Sequence, residues 1–536
     1  MSSKIKKSKF VFVTGGVVSS VGKGLVSASL STLLESRGYK VSLVKCDPYI
    51  NVDPGTLSPF QHGEVYVTED GAETDLDLGH YERFTEANLT KDHSITTGQI
   101  YQTVIDKERK GDYLGRTVQV IPHITDEIKT RLLKVSKNSD ITVVEIGGTI
   151  GDIEGLPFIE AIRQLRIEFG AENTVFAHVT LVPYIPSVGE LKSKPTQHSV
   201  KALREVGLQP DFLICRSSHT IDQDLKSKIA LFSNLNQDDI VTAKDARTIY
   251  EIPLFLSKEK WDEKVCKKLN LKPPKSNLSK WKSVVLKIKN PKKEVCIGLV
   301  GKYVHLKDSY QSIHEALIHG GLAHQAKVEI RYIDSGNLKT SELKKLDGIL
   351  VPGGFGDRGI DGKLKAIKYC RENSIPFFGI CLGMQVAAIE FAKNVCGIQG
   401  ATSKEFSNDK ATKNYIVDLI PKQKSVVYKG GSMRLGSYHC VLNKNSKVSQ
   451  IYKKNSISER HRHRYEINPA FLERFEEKGI SFSGKCKGAD QLFEVLELPS
   501  HPWFIGVQYH PEFKSKPTKP HPLFASFIQA CIKSSS

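Results

Sequence analysis

Residues 10–24 read Phe10-Val11-Phe12-Val13-Thr14-Gly15-Gly16-Val17-Val18-Ser19-Ser20-Val21-Gly22-Lys23-Gly24. An aromatic and β-branched run, a glycine-rich turn and a lysine heading an amphipathic stretch predict strand, loop and helix in succession. In that order the loop N–H groups and the helix N-terminus form a cradle for phosphate, with Lys23 on the β/γ-phosphates. The loop is not a strict Walker A sequence, because an extra residue separates Gly16 from Gly22 and Gly24 stands where a Ser or Thr would ligate Mg²⁺. Any metal ion must then be held from elsewhere. A plain strand-to-helix turn shares the pattern, but the flanking strand and helix favour a nucleotide.

Outward from this stretch, Lys40–Lys45, Ile141–Ile146, Phe176–Val182 and Phe212–Cys215 are further β-branched runs, separated by helix-length segments such as Gly24–Ser36 and Pro157–Phe169. Alternation of this kind predicts an α/β domain with a mostly parallel sheet covered by helices on both faces. The same alternation returns downstream in Val295–Val300, Val328–Ile333, Gly348–Val351 and Phe377–Ile380, with helices over Gln311–His324, Lys363–Asn373 and Met384–Lys393. Between the halves, Ser257–Glu294 holds thirteen lysines against four acidic residues and includes Pro273, Pro274 and Pro291, which reads as a solvated linker. The expected division is 1–270, a basic linker over 271–294, and 295–536.

The composition sets bounds on function. With 536 residues, 39% hydrophobic and 25% charged, the chain predicts about three or four domain-sized units, or fewer if they are large α/β ones. No apolar run approaches the ~20 residues that cross a bilayer, and the basic N-terminus lacks a signal-peptide core. Ten scattered cysteines without a CxxC pair argue against a disulfide framework or a zinc site, and fit a reducing cytoplasm. The net charge of +18 comes with no RNA- or DNA-binding signature, so no nucleic-acid partner is expected.

Acidic residues that could serve a nucleotide-bound Mg²⁺ stand in Thr74-Asp75-Leu76-Asp77-Leu78 and at the end of the Val143-Val144-Glu145-Ile146 strand. Asp77 and Glu145 suit the one or two carboxylates that Mg²⁺ takes beside phosphate oxygens and water. A second basic, hydroxyl-rich loop, Gly189-Glu190-Leu191-Lys192-Ser193-Lys194-Pro195-Thr196-Gln197-His198-Ser199, could grip another triphosphate; read alone, it is an exposed charged turn.

The downstream half carries different chemistry. Phe377-Phe378-Gly379-Ile380-Cys381-Leu382-Gly383-Met384-Gln385 sets one cysteine between glycines at a strand-to-helix junction, a nucleophile elbow with Cys in place of Ser. The helix N-terminus favours its thiolate. Val351-Pro352-Gly353-Gly354-Phe355-Gly356 offers backbone donors which, with the N–H of Leu382, suit an oxyanion hole. Near the C-terminus, Gln508-Tyr509-His510-Pro511-Glu512 supplies a base, His510, and its orienting carboxylate, Glu512.

Several stretches together resemble the CTP synthase family: Phe12 to Ser20; Lys45-Cys46-Asp47-Pro48-Tyr49-Ile50-Asn51-Val52-Asp53-Pro54-Gly55-Thr56; Thr68 to Phe84; and Lys194-Pro195-Thr196-Gln197-His198-Ser199-Val200. The likeness runs from about residue 9 to about 530, and the C-terminal half separately resembles class I glutamine amidotransferases. It implies a P-loop-like, dethiobiotin-synthetase-like amidoligase domain and a flavodoxin-like glutaminase domain, both doubly wound. The reaction it implies is amination of UTP to CTP with ATP and glutamine as substrates, Mg²⁺ as cofactor, GTP as activator and CTP as inhibitor, in a cytoplasmic homotetramer.

By the same resemblance, ATP contacts fall on Ser19, Ser20, Val21, Gly22, Lys23, Gly24, Lys45 and Asp77, and the metal carboxylates on Asp77 and Glu145. Pyrimidine-nucleotide contacts fall on Ser19, Asp152, Ile153, Glu154, Lys192, Ser193, Lys194, Pro195, Thr196, Gln197 and Lys228. Glutamine contacts fall on Gly354, Leu382, Gly383, Met384, Gln385, Glu405 and Arg464, around a triad of Cys381, His510 and Glu512. GTP falls near Arg358, Gly359 and Arg434, where Asp361 and Ser432 depart from the family's usual Glu and Thr. A cobyrinate amidase would share the order of motifs, but the Lys192–Gln197 loop and the Asp47-Pro48-Tyr49 segment speak against it. A binding or filament-forming protein with dead sites is disfavoured, since every catalytic position holds a competent residue.

Overall fold

The computed structural model describes residues 8–407, 414–420, 423, 430–487 and 492–534. Among these the chain divides into two compact units, one within Met1–Asp53 and Asp77–Val285, the other within Pro54–Leu76 and Leu286–Ser536.

The first unit is built on seven parallel strands: β1 Lys9–Gly15, β2 Val41–Asp47, β3 Ser94–Thr96, β4 Ile141–Ile146, β5 Thr174–Leu181, β6 Phe212–Ser217 and β7 Ile240–Lys244, in the order β7-β6-β5-β1-β4-β2-β3. Helices cover both faces, so β1, β2 and β4 are buried almost throughout and read as continuous apolar runs. Phe10 and Phe12 stack at 5.6 Å, and Phe12 stacks on Phe176 at 5.2 Å, which ties β1 to β5. The strand order reverses around β1, and the glycine-rich loop leaves its C-terminal end there before the helix Lys23–Ser36 begins. That is the crevice where open α/β sheets take ligands.

The main sheet of the second unit has nine strands: β8 Lys293–Gly301, β9 Ala326–Asp334, β10 Gly348–Val351, β11 Phe377–Ile380, β12 Arg434–Leu442, β13 Ser456–His463, β14 Ser481–Cys486, β15 Phe493–Glu497 and β16 Phe504–Val507, in the order β9-β8-β10-β11-β16-β15-β14-β12-β13. The five from β9 to β16 in that order are parallel; β15, β14, β12 and β13 continue the sheet by antiparallel pairing. The core is therefore α/β as expected, with a meander-like extension that the alternation of elements does not announce.

Two features redraw the expected division. Residues 54–76 belong with the second unit, because Arg460 donates to Glu69 at 3.1 Å and to the Val67 carbonyl at 3.0 Å, and Arg462 donates to Glu73 at 2.8 Å. The lysine-rich stretch is not a solvated linker: it contains the helix Ser279–Lys289 with Trp281, Val284 and Val285 buried. Trp281 packs against Phe84 with the rings tilted by 53° and donates to the Tyr250 carbonyl at 2.7 Å. Its apolar positions recur at helical spacing, a stripe masked by the lysines between them.

Arg37 clamps the same segment. Its guanidinium donates to Asp262 at 2.6 Å, to Glu263 at 3.0 Å and to the Pro274 carbonyl at 2.7 Å. Asp262 is fully buried, so removal of its partner strands a charge. Arg37→Ala is expected to destabilise the first unit by about 3 kcal/mol. Urea unfolding followed by tryptophan fluorescence checks this, since the buried Trp261 and Trp281 report on that unit; a loss below about 1 kcal/mol would refute the clamp.

Candidate active sites

In the second unit, three adjacent parallel strands deliver the chemistry to one end of the sheet. β10, β11 and β16 pair in register through Val351, Gly379 and Gly506, and lead into the Pro352–Gly356 loop, Cys381, and the His510–Glu512 turn. Cys381 heads the helix Leu382–Asn394 in a strained conformation, φ 52° and ψ −105°. The strain follows from how closely the helix sits on the strands: a Cβ on Gly379 would lie 2.8 Å from the Gly383 carbonyl and one on Gly383 would come closer still to the Val351 carbonyl, so neither glycine can carry a side chain. Cys381 N–H donates to the Val507 carbonyl at 2.7 Å, which pins the elbow to β16.

His510 Nδ1 and Glu512 Oε1 are 2.7 Å apart, and His510 Nε2 is buried without a hydrogen-bond partner among the described residues. Burial disfavours the imidazolium, but Glu512 and Cys381 outweigh it and raise His510 to about 10. Gln508, given no role in the sequence reading, donates to Cys381 Sγ at 3.6 Å and accepts from Gln385 at 3.1 Å.

Beside the thiol lies a cavity of about 440 Å³. Of the expected residues, Gly354, Cys381, Arg464, His510 and Glu512 line it. Arg464 is held by Gln423 at 2.8 Å and Ser432 at 2.9 Å. Glu405 accepts from Gly356 N–H at 2.6 Å, and burial raises its carboxyl. Leu382, Gly383 and Met384 are buried in the first turn of the helix, and the Gln385 amide is spent on the Tyr465 carbonyl and Gln508, so these four can offer a ligand main chain only. Sequence reasoning missed Lys363, which is buried at the cavity wall and lowered to about 7 by burial and then by Lys302. It also missed residues 55–57 and 63–65, which line the same cavity.

Arg358 is exposed, stacked over Tyr303 at 5.0 Å, with Gly359 in the left-handed cap of the helix Ile360–Asn373. Arg434 opens β12. Its guanidinium is buried on β12, paired with Glu494 at 2.7 Å and Glu466 at 3.2 Å and stacked on Tyr438 at 4.3 Å. Two carboxylates and an aromatic face hold it there.

In the first unit, the loop after β1 passes through left-handed Val17, Ser20 and Gly22 before the helix Lys23–Ser36. Ser19 and Ser20 are exposed at its crown, Val21 is buried beneath, and the Lys23 side chain donates to the Gly148 carbonyl at 2.6 Å. Lys45 is buried between Asp77, to which it bonds, and Glu145 at 3.0 Å, with Asp47 at 3.7 Å. Tyr81 donates to the other oxygen of Glu145. Both carboxylates face Gly24, where a Cβ would stand 3.5 Å from Glu145 Oε2 and closer still to Asp77. Burial pushes the Glu145 carboxyl up, whereas Lys45 overcomes burial and holds Asp77 down. Two convergent carboxylates facing a phosphate loop fit the oxygen-donor set of Mg²⁺.

Beside the same loop a cavity of about 230 Å³ is lined by Leu25, Val26, Ile249, Ile252, Arg216 and Asp245, among others. Its apolar walls and three charged groups, Arg216, Lys244 and Asp245, suit a flat heterocycle. Arg216 bonds Asp245 at 3.0 Å and the Ser20 carbonyl at 3.2 Å; nothing local in the sequence marks either residue.

The remaining expected contacts lie around the second loop and β4. Asp152, Ile153 and Glu154 are exposed beyond β4, with Asp152 accepting from Thr149 N–H at 2.8 Å. Lys192 pairs with Glu190 at 2.6 Å, Ser193 is buried and bonded by Gln197 at 3.1 Å, and Lys194 and Pro195 open the helix Lys194–Glu205. Lys228 is exposed, and its charge together with that of Lys192 lowers Glu190. Thr196 is fully buried and donates to the Leu181 carbonyl at 3.0 Å.

The raised pKa of His510 makes its imidazolium stabilising fully below about 6.5, an effect lost as pH rises through about 10. An NMR titration of its Cε1–H is expected to show a midpoint near 10, and Glu512→Gln should lower that midpoint by about one pH unit or more. A midpoint near the ordinary 6.5 in the unmodified protein would contradict the pairing.

Two family models match the chain: CTP synthase N-terminus over residues 9–271 and Glutamine amidotransferase class-I over residues 305–530. A CTP synthase of Bdellovibrio bacteriovorus is 60% identical over 532 residues, spanning 98% of this chain and 99% of that relative. One of Geobacter metallireducens is 58% identical over 532 residues, spanning 98% of both. The solved glutaminase domain of Trypanosoma brucei CTPS with bound acivicin is 39% identical, covers 45% of this chain and 94% of its own, and superposes with a TM-score of 0.42. With a thiol elbow in one unit, a phosphate loop in the other and relatives matched along nearly the whole sequence, the chain belongs to the CTP synthase family.

Proposed function

We propose that the chain converts UTP to CTP with ATP and glutamine, the glutaminase half passing ammonia internally to the synthetase half. One observation carries the reading: a single chain of this family holds both an elbow cysteine with a His510–Glu512 pair and a phosphate loop backed by Lys23, Lys45, Asp77 and Glu145.

In the glutaminase half, the Cys381 thiolate attacks the carboxamide carbon of glutamine, and the elbow N–H of Leu382 with the Gly353–Gly354 backbone receives the developing oxyanion. His510, held protonated by Glu512, gives its proton to the departing nitrogen and ammonia leaves. Water, deprotonated by His510, then cleaves the thioester to glutamate and restores the thiol. Arg464 and Glu405 carry the charges suited to the α-carboxylate and α-amino group, and Gly383, Met384 and Gln385 contribute main chain.

In the synthetase half, O4 of UTP attacks the γ-phosphorus of ATP, and the bond to the leaving ADP breaks. Ammonia then adds at C4 and displaces phosphate, because a carbonyl oxygen leaves only once phosphorylated. Lys23 and Lys45 neutralise charge on the transferring phosphoryl group, and Ser19–Gly24 wraps the phosphates. Asp77 and Glu145 would hold Mg²⁺, which supplies further neutralisation of phosphate charge when bound. Lys192–Gln197 and Lys228 would grip the UTP triphosphate, and CTP would inhibit from the same place. GTP activation would act through Arg358 and Gly359. A homotetramer in the cytoplasm completes the reading and rests on family membership; among the described residues no helix is long and apolar enough to cross a membrane.

Incubation with UTP, ATP, Mg²⁺ and a nitrogen source, followed by the uracil-to-cytosine absorbance change, tests the assignment. Cys381→Ala is expected to abolish glutamine-dependent synthesis while ammonium-dependent synthesis survives; loss of both would show the halves misassigned. Lys23→Ala is expected to lower synthesis by about 10²-fold or more with either nitrogen source, yet leave glutamine hydrolysis. Retained ammonium-dependent synthesis would contradict its role.

A further inference from the structure

Beneath the phosphate loop of the first unit lies a buried polar chain that the reaction above does not use. His178, on β5, stands opposite Thr14 of β1 in the sheet register. Its Nδ1 is 2.8 Å from Thr14 Oγ1 and its Nε2 is 2.8 Å from Ser199 Oγ. All three side chains are buried, His178 and its neighbours at 0–6% exposure. Burial, with the nearby Lys23 charge, depresses His178 to about 3, so the ring is neutral and offers one donor and one acceptor.

Each end of the chain reaches a nucleotide loop. Thr14 is followed by Gly15 and Gly16, and Ser199 Oγ packs so closely on Gly16 that a Cβ there would collide with it. Gly16 N–H also donates to the Val179 carbonyl at 3.0 Å, next to His178. Ser199 lies in the helix Lys194–Glu205, whose first turn is Lys194-Pro195-Thr196-Gln197. Thr196 anchors that turn to β5 through the Leu181 carbonyl. Burying three polar groups costs free energy unless each is bonded, and an apolar filling would pack as well without specifying a distance.

We propose that His178 is a positioning residue that locks the pyrimidine-nucleotide loop in register with the phosphate loop, so that the two nucleotides meet at reacting distance. The inference rests on the nucleotide assignment of the preceding section. It acts through Ser199 and Gly16 rather than by touching either nucleotide, and a misplacement on the order of 1 Å in such a site costs about 10² in rate.

The test uses the full chain with UTP, ATP, Mg²⁺ and ammonium salt, which leaves the glutaminase half out of the readout. His178→Phe keeps a flat aromatic ring, somewhat larger than imidazole, and removes both bonds. It is expected to raise KM for UTP about tenfold and lower kcat about 10²-fold, with glutamine hydrolysis in the absence of nucleotide unchanged. Ser199→Ala should move both constants the same way by a smaller factor, the double variant should be no worse than His178→Phe, and His178→Gln, whose amide reaches the Nε2 position, should recover most of the UTP KM. A lowered melting temperature with unaltered KM and kcat in His178→Phe would overturn the proposal. If that variant fails to fold, Ser199→Ala with unaltered constants does the same. A parent chain that makes no CTP overturns the nucleotide assignment and the proposal with it; unaltered variants of an active parent overturn the proposal alone.

Discussion

The glutaminase unit depends on how closely one helix is seated on one strand. Because Gly379 and Gly383 touch through bare backbone, the chain turns from β11 into the helix within a single residue, and Cys381 bears a left-handed φ that costs about 1–3 kcal/mol. The neighbouring strands hold it there through the Val507 carbonyl. That strain lifts the thiol clear of the sheet and leaves the helix N-terminus aimed at it. His510 and Glu512 arrive from β16 and the glycine loop from β10, so the catalytic geometry is a property of three strand ends.

The synthetase unit faces a different constraint, the concentration of charge in a dry place. Lys45 lies among Asp77, Glu145 and Asp47, with Lys23 close by. Such a cluster is a poor investment for stability alone, since desolvating each ion costs several kcal/mol. It is well matched to a ligand that brings four negative charges and a divalent cation. The opposed displacements of Asp77 and Glu145 express the same imbalance: Lys45 bonds both, but it overcomes burial at Asp77, whereas burial and the neighbouring Asp77 charge push Glu145 up. The buried His178 pair of hydrogen bonds lies directly under this arrangement and adds rigidity without adding charge.

Where sequence and structure diverge, the reason is long-range packing. The lysine-rich stretch before β8 hides a Leu278-Trp281-Val284-Val285 stripe, and Arg37, more than two hundred residues earlier, supplies the contact that docks it. Residues 54–76 follow β2 in the chain but fold with the other unit, held by Arg460 and Arg462 from β13. The resemblance places an effector contact on Arg434; its burial against Glu466 and Glu494 depends on β12 and on strands that come later in the chain.

The alternation of strands and helices, the phosphate loop with Lys23, and the elbow cysteine with its downstream His-Glu pair were legible from residue types and spacing, because backbone geometry and local chemistry are encoded within a few positions. Asp77 and Glu145 were legible as candidates for the same reason. Tertiary structure decided what each loop faces: Gln508 on the thiol, Lys363 at the cavity wall, Arg216 and Asp245 beside the loop, Thr196 turned inward, and His178 bonded on both sides. Those assignments depend on which distant strands become neighbours, and a buried polar side chain finds its partner only after the sheet order has been set.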